Sequence, residues 1–306
     1  MGREESARPR GNVRRTGTLP GGHAMARQAR VLVMANQKGG VAKTTSTLSL
    51  AAALHEKGQR VLVVDLDPQS NLSMSQGIDV ESLQDGMYDV LVKALPISDI
   101  IQVREIDIAP AGIELAGAEL ALSSMIGRER ALQRALEPVR SRYDYIIMDT
   151  PPSLGLLTIN AFVAAQGVIV PVQCEYLSLR GLAQLTQTLE QVREHLNPDV
   201  DIFGILPTMY DGRTMHCREA VDVLIESFGD VVFRTRIGKT VRFAEAPVQG
   251  KSILAYDGSG QAARWYRQLG REVLERDGAW NDDLERMRRP VRDVRPQSGP
   301  SLRLAS

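Results

Sequence analysis

Cysteine is nearly absent from this 306-residue chain: only Cys174 and Cys217 occur, far apart and outside any CxxC pair. That usage fits a reduced compartment and argues against a disulfide framework. The four histidines, His23, His55, His195 and His216, form no ligand-spaced cluster with those cysteines, so no structural zinc site is expected. Nowhere do about eighteen apolar residues run together, and no segment is expected to span a membrane. The arginine-bearing N-terminus lacks the apolar stretch of a secretory signal. Net charge is missing too, with 37 basic side chains against 37 acidic ones. A neutral chain does not coat nucleic acid over its whole surface, although a local basic patch remains compatible with it.

What is present is an alternation. Residues 1–28 are rich in Arg, Gly and Pro without apolar periodicity, and 277–306 carry Arg286, Arg288, Arg289, Arg292 and Arg295 among Pro290, Pro296 and Pro300. Both segments read as basic, disordered extensions of a single domain over 29–276. Within it, strands are expected at Arg30–Ala35, Arg60–Asp65, Asp144–Asp149, Gly167–Val172 and Asp201–Leu206. Helical spacing fills Thr44–Glu56, Arg128–Val139, Leu179–His195, Met215–Phe228 and Gly260–Glu275. Strands that are apolar almost throughout indicate a sheet covered on both faces. The class is therefore α/β, a doubly wound, mostly parallel sheet.

The first strand runs straight into Gln37-Lys38-Gly39-Gly40-Val41-Ala42-Lys43-Thr44-Thr45 and then a helix. Strand, glycine-bearing loop and helix N-terminus make a cradle for phosphates: the glycines let backbone N–H groups approach, and the helix end adds a favourable field. Lys43 can reach β- and γ-phosphates, and the Thr44 hydroxyl can ligate Mg²⁺. A glycine usually precedes that lysine, and here Ala42 stands in its place. The loop must avoid positive φ at Ala42 or carry strain of about 1 kcal/mol.

Carboxylates follow at the expected strand ends. Val63-Val64-Asp65-Leu66-Asp67-Pro68-Gln69 brings Asp65 and Asp67 out beside the cradle, and two-residue alternation puts both on one side. Such an acid can position or deprotonate a water, or hold a metal-bound one. Asp65 reads equally well as a turn aspartate. Asp149, closing the apolar strand Tyr145-Ile146-Ile147-Met148, has the pattern of an acid that acts on Mg²⁺ directly or through water.

Lys38, Gly39 and Gly40, then Asp65-Leu66-Asp67-Pro68-Gln69, Asp149-Thr150-Pro151-Pro152, Glu175-Tyr176, Leu206-Pro207-Thr208-Met209-Tyr210 and Glu245-Ala246-Pro247, resemble in order the ParA/Soj partitioning ATPases, with their deviant Walker A loop. The resemblance implies an ATP-dependent homodimer in which Lys38 reaches the partner's nucleotide and Asp67 supports hydrolysis. It also places Pro68, Asn71, Thr208 and Met209 near the nucleotide, and Glu175 near the partner's. It further implies Mg²⁺, non-specific binding to double-stranded DNA, stimulation by a ParB-type centromere-binding protein, and a cytoplasmic, nucleoid-associated location. Read from the residues themselves, Arg234, Arg236, Lys239 and Arg242 form an acid-free basic run over 231–243, with Arg213 and Arg218 upstream. Point charges of this kind contact phosphates, and composition alone allows a solvated loop equally well. The resemblance favours DNA for Arg213 and Arg242, although Gly238 stands where the family carries proline. Trp265 reads as core or interface packing. Three rivals share the cradle, and an electron-transfer ATPase like nitrogenase iron protein would need paired cluster cysteines that the isolated Cys174 and Cys217 do not supply. A MinD-like membrane-associated ATPase is disfavoured by the proline-rich tail, and a metabolic ligase by Lys38 and the basic run.

Overall fold

A computed structural model describes residues 28–174 and 178–283. Six parallel strands form one sheet: β1 (Arg30–Met34), β2 (Val61–Asp65), β3 (Asp107–Ala109), β4 (Tyr145–Asp149), β5 (Gly167–Gln173) and β6 (Asp201–Thr208), in the order β3-β2-β4-β1-β5-β6. This is the doubly wound architecture expected. Both faces of each central strand are apolar. Val31 and Val33 belong to one core, Leu32 and Met34 to the other, and Ile146/Met148 and Tyr145/Ile147 of β4 divide the same way. Two cores explain why these strands read as unbroken apolar runs.

The order puts β1 at the point where the chain reverses direction across the sheet. From β1 it crosses to β2 and β3, returns through β4, then leaves on the other side through β5 and β6. Ligand crevices open beyond the strand carboxyl ends at such a point. Register sharpens the placement: Met34 pairs with Asp149, which pairs with Asp65, so three strand ends stand in one row.

Three expectations change. β3, with only three residues, is too short to show any periodicity and was not anticipated. The single helix expected over Arg128–Val139 is broken into a 3₁₀ turn Arg128–Arg130, a helix Ala131–Leu136 and a 3₁₀ stretch Glu137–Arg142. Pro138 lacks the N–H that a continuous helix needs there. The last helix, Gln261–Asp283, passes the expected domain end at 276. Asp277 explains this. It is buried, forms an ion pair with Arg30 at 3.2 Å and accepts the Tyr145 hydroxyl at 2.9 Å, fastening the helix to β1 and β4. The N-terminal arm and the rest of the proposed tail lie outside the described residues.

Helix α1 (Lys43–His55), which starts at the cradle, is clamped between the sheet and this last helix. The Ser46 and Tyr266 hydroxyls hydrogen-bond at 2.9 Å, and Gly270 sits where any Cβ would come within 3.1 Å of the Ala53 Cβ. Removing one member of a buried ion pair leaves the other uncompensated. Asp277→Ala is therefore expected to lower stability by about 3 kcal/mol, read as a reduced urea midpoint at unchanged slope. An unaltered midpoint would show that residues beyond 276 are dispensable to the domain.

Candidate nucleotide-binding site and basic cleft

The loop between β1 and α1 is built by its own polar contacts. The Asn36 amide donates to the Pro171 carbonyl at 2.6 Å, and its Oδ1 accepts the Lys38 N–H at 2.9 Å. Gly40 turns the loop at φ 73°, and a Cβ built on Gly39 or Gly40 meets nothing within 4 Å. The backbone thus borders open space on one side. Ala42 adopts φ 69° and ψ 34°, so the loop keeps the left-handed conformation and the alanine bears the strain. Val41 is buried, and its carbonyl accepts the Thr208 hydroxyl at 3.1 Å, linking the loop to the end of β6.

Around α1's first turn the carboxylates of Asp149 and Asp67 act on one buried cation, Lys43. Lys43 is 7% exposed, and its ammonium has only a long 3.5 Å contact with the Lys38 carbonyl. The Thr44 hydroxyl donates to Asp149 Oδ2 at 2.6 Å, and Thr47 approaches Oδ1 at 3.4 Å. Burial first, then the negative charge of Asp65, pushes the Asp149 carboxyl up to about 8. Burial lowers Lys43, against the opposing pull of Asp149 and Asp67. Asp65 is fully buried and pushed up to about 6 by desolvation. Its oxygens accept the Asp67 N–H, the Ser73 N–H and the Ser73 hydroxyl. Asp65 is therefore the turn aspartate, shaping the loop rather than facing a ligand. β2 ends at Asp65, so Asp67 is placed by turn contacts and not by strand alternation: its Oδ1 accepts the Gln69 N–H at 2.9 Å.

The other expected residues divide. Lys38 donates to Gln173 Oε1 at 2.8 Å, at the end of β5. Thr45 lines a cavity of about 30 Å³ with Phe243, Ala246, Pro247 and Lys251, a wall that the loop pattern did not reveal. Pro68 is half-buried in the turn after Asp67, and the exposed Asn71 opens the short helix Asn71–Met74. Met209 follows Thr208 at φ 53°. Glu175 lies outside the described residues.

The donor set suits a hard divalent cation and a polyphosphate. A hydroxyl and carboxylate oxygens surround a buried ammonium beside an open backbone loop, and Mg²⁺ is commonly held by few protein ligands with waters and phosphates completing its shell. Accordingly, no group of three or more His, Cys, Asp or Glu side chains converges for a metal among the described residues.

The basic run lies along β6's outer edge. Phe233 and Ile237 donate backbone N–H groups to Ile205 and Pro207, and Tyr210 donates to Ile237. This arrangement gathers Arg213, Arg234, Arg236 and Lys239 around a cleft of about 570 Å³, with Tyr210 and Trp265 in its walls. Gly238 packs against Trp265: a Cβ would stand 2.3 Å from the ring, so alanine or proline here requires the indole to shift. Trp265 is half-buried and both packs against the core and lines the cleft. The run is less naked than its composition suggests. Arg234 pairs with Glu275 at 2.9 Å, Arg213 with Asp211 at 2.8 Å, and Arg236 stacks on Tyr210 at 4.9 Å. Arg242, paired with Glu245 at 2.8 Å, and the exposed Arg218 are not among the cleft's lining residues.

Two outcomes follow from this geometry. Ala42→Gly relieves a left-handed alanine and is expected to stabilise the protein by up to about 1 kcal/mol in urea unfolding; a loss would contradict the strain at this position. Because Asp149 and Asp65 are raised, the nucleotide-free folded state holds protons that the unfolded chain has released. Their contribution is complete below about pH 4 and is lost as pH rises through about 6 to 8. Asp149→Asn should flatten that decline in urea midpoints measured without nucleotide and Mg²⁺; an unchanged slope would contradict the assignment.

Several known proteins are similar to this chain. A family model described as an AAA domain matches residues 29–202. The sporulation initiation inhibitor protein Soj of Bacillus subtilis is 47% identical over 247 residues, covering 80% of this chain and 98% of Soj. The chromosome partitioning protein ParA of Myxococcus xanthus is 42% identical over 251 residues, 81% of this chain and 89% of its own. Among solved structures, the cobyrinic acid a,c-diamide synthase from Mycobacterium smegmatis with bound ADP and magnesium superposes with a TM-score of 0.73 at 40% identity, over 82% of this chain and 96% of that one. With the deviant loop, the row of strand-end carboxylates and these relatives in agreement, the chain belongs to the ParA/Soj family of partitioning ATPases.

Proposed function

We propose that this chain is a DNA-partitioning ATPase whose nucleotide state sets its grip on DNA. The observation that carries this reading is the physical continuity from cradle to cleft. The Val41 carbonyl is bonded to Thr208, and two residues on Tyr210 bonds the basic run and stacks with Arg236. ATP and Mg²⁺, when bound, supply a phosphoanhydride whose cleavage drives the cycle. The backbone of Gly39–Ala42, the Lys43 ammonium and the Thr44 hydroxyl would hold them. Asp149 orients Thr44 through the 2.6 Å hydrogen bond, and Asp67 positions or deprotonates the attacking water.

Lys38, anchored at Gln173, is the residue that reaches a second copy's nucleotide, so that ATP joins two subunits in a sandwich. Dimerisation doubles the number of basic clefts facing one duplex. Sequence-independent affinity follows from phosphate contacts by Arg213, Arg234, Arg236 and Lys239, with Arg218 and Arg242 flanking them. Hydrolysis, stimulated by a ParB-type centromere-binding partner, separates the copies and releases the DNA. The protein then acts in the cytoplasm, on the nucleoid. No helix among the described residues is long and apolar enough to cross a membrane.

A second reading, an amide-forming ligase on the same scaffold, is favoured by the 40% identity to the Mycobacterium smegmatis synthase. DNA binding separates the two. With ATP and Mg²⁺, retention on non-specific duplex should exceed that with ADP or no nucleotide, and should fall steeply between two salt concentrations. Lys239→Glu should reduce retention without altering nucleotide affinity, and Asp67→Ala should keep nucleotide but slow turnover. Equal retention in all three nucleotide states would reject the partitioning reading in favour of the ligase.

A further inference from the structure

The chain's two cysteines, 43 positions apart in sequence, meet behind the basic cleft. The Cys217 thiol donates to the Cys174 carbonyl, with Sγ and oxygen 3.5 Å apart. Cys174 lies close enough to feel the charge of Cys217, and Arg236 and Lys239 act on it too. The Cys217 sulfur thus touches the backbone of the residue that carries the other thiol, and a disulfide closes where paired Cα atoms stand roughly 4.4–6.8 Å apart. Both thiols are free.

We propose that Cys174 and Cys217 form a redox-sensitive pair that closes to an intramolecular disulfide. The two have different exposures, which orders the steps. Cys174 is 2% exposed, and burial pushes its thiol up to about 12, whereas Cys217 is half-exposed in the first turn of the helix Met215–Phe228. A small-molecule disulfide such as oxidised glutathione therefore meets Cys217 first. The Cys217 thiolate attacks one glutathione sulfur, forming a mixed disulfide and expelling one glutathione thiolate. Cys174 then attacks the Cys217 sulfur, its proton passing to the second departing glutathione. In sum, two protein thiols are oxidised and one glutathione disulfide is reduced to two thiols.

The bond would tie the end of β5 to that helix. Cys174 follows Gln173, which holds Lys38, and its N–H donates to the Thr208 carbonyl at 3.1 Å. The crosslink thus lies between the cradle and the cleft, independent of whether the partitioning reading holds.

The test uses the folded full-length protein, oxidised glutathione and N-ethylmaleimide, followed by intact mass and a non-reducing peptide map. The expected product is about 2 Da lighter, carries no maleimide, yields one Cys174–Cys217 linked peptide pair and regains both thiols in dithiothreitol. Cys174→Ser should stop at a stable glutathione adduct on Cys217, and Cys217→Ser should acquire none. Two maleimide-reactive thiols after oxidation, a persistent glutathione adduct on the unsubstituted protein, or links only between separate chains would overturn the proposal.

Discussion

One electrostatic imbalance organises this molecule. Parallel strands in register bring Asp65 and Asp149 to a common level beside the loop after β1, and Asp67 stands two residues further on. All three are buried, and Lys43 is the buried ammonium among them. Desolvation makes Asp149 and Asp65 reluctant to ionise and holds both well above the ordinary aspartate range. The protein relieves part of that cost locally, with the Thr44 hydroxyl on Asp149 and three donors on Asp65. A divalent cation held at the Thr44–Asp149 edge would relieve the remainder, and a polyphosphate would satisfy Lys43 in turn. Metal and nucleotide are then complementary to a charge pattern that the fold itself creates.

The same strand ends connect this site to the surface. β6 reaches the cradle through Thr208 and then carries the basic run along its outer edge, where Ile237 and Phe233 supply the missing backbone partners. An edge strand is thereby covered and four cations are collected in one step. Their acidic neighbours, Asp211 on Arg213 and Glu275 on Arg234, temper the field of the cleft.

Much of this was legible in the residues. The loop Gln37–Thr45 and the aspartate at the end of β4 announce themselves because a strand, two glycines, a lysine and a threonine occur in an order that phosphate chemistry requires. The sheet was legible wherever both faces are apolar. What sequence could not show arose from tertiary contact. β3 is too short to carry a period, Pro138 divides a segment whose apolar spacing looked continuous, and Asp277 lengthens the last helix by pairing with Arg30, far away in sequence. Asp65 read as either a site acid or a turn aspartate, and the donors around it assign it to the loop's architecture. Gly238 looked like a departure from the family; its explanation is the Trp265 ring against it. Ala42 keeps a glycine's conformation and bears the strain, an outcome the sequence left open between two alternatives.

The central claim is that the nucleotide site is completed by a second copy of the chain through Lys38. Sedimentation velocity with ATP and Mg²⁺ tests it most directly, using Asp67→Ala to prevent turnover. That variant should sediment as a dimer with ATP and as a monomer with ADP, and adding Lys38→Ala should return it to a monomer that still binds nucleotide. A dimer that persists without Lys38, or one that forms equally with ADP, would contradict the account.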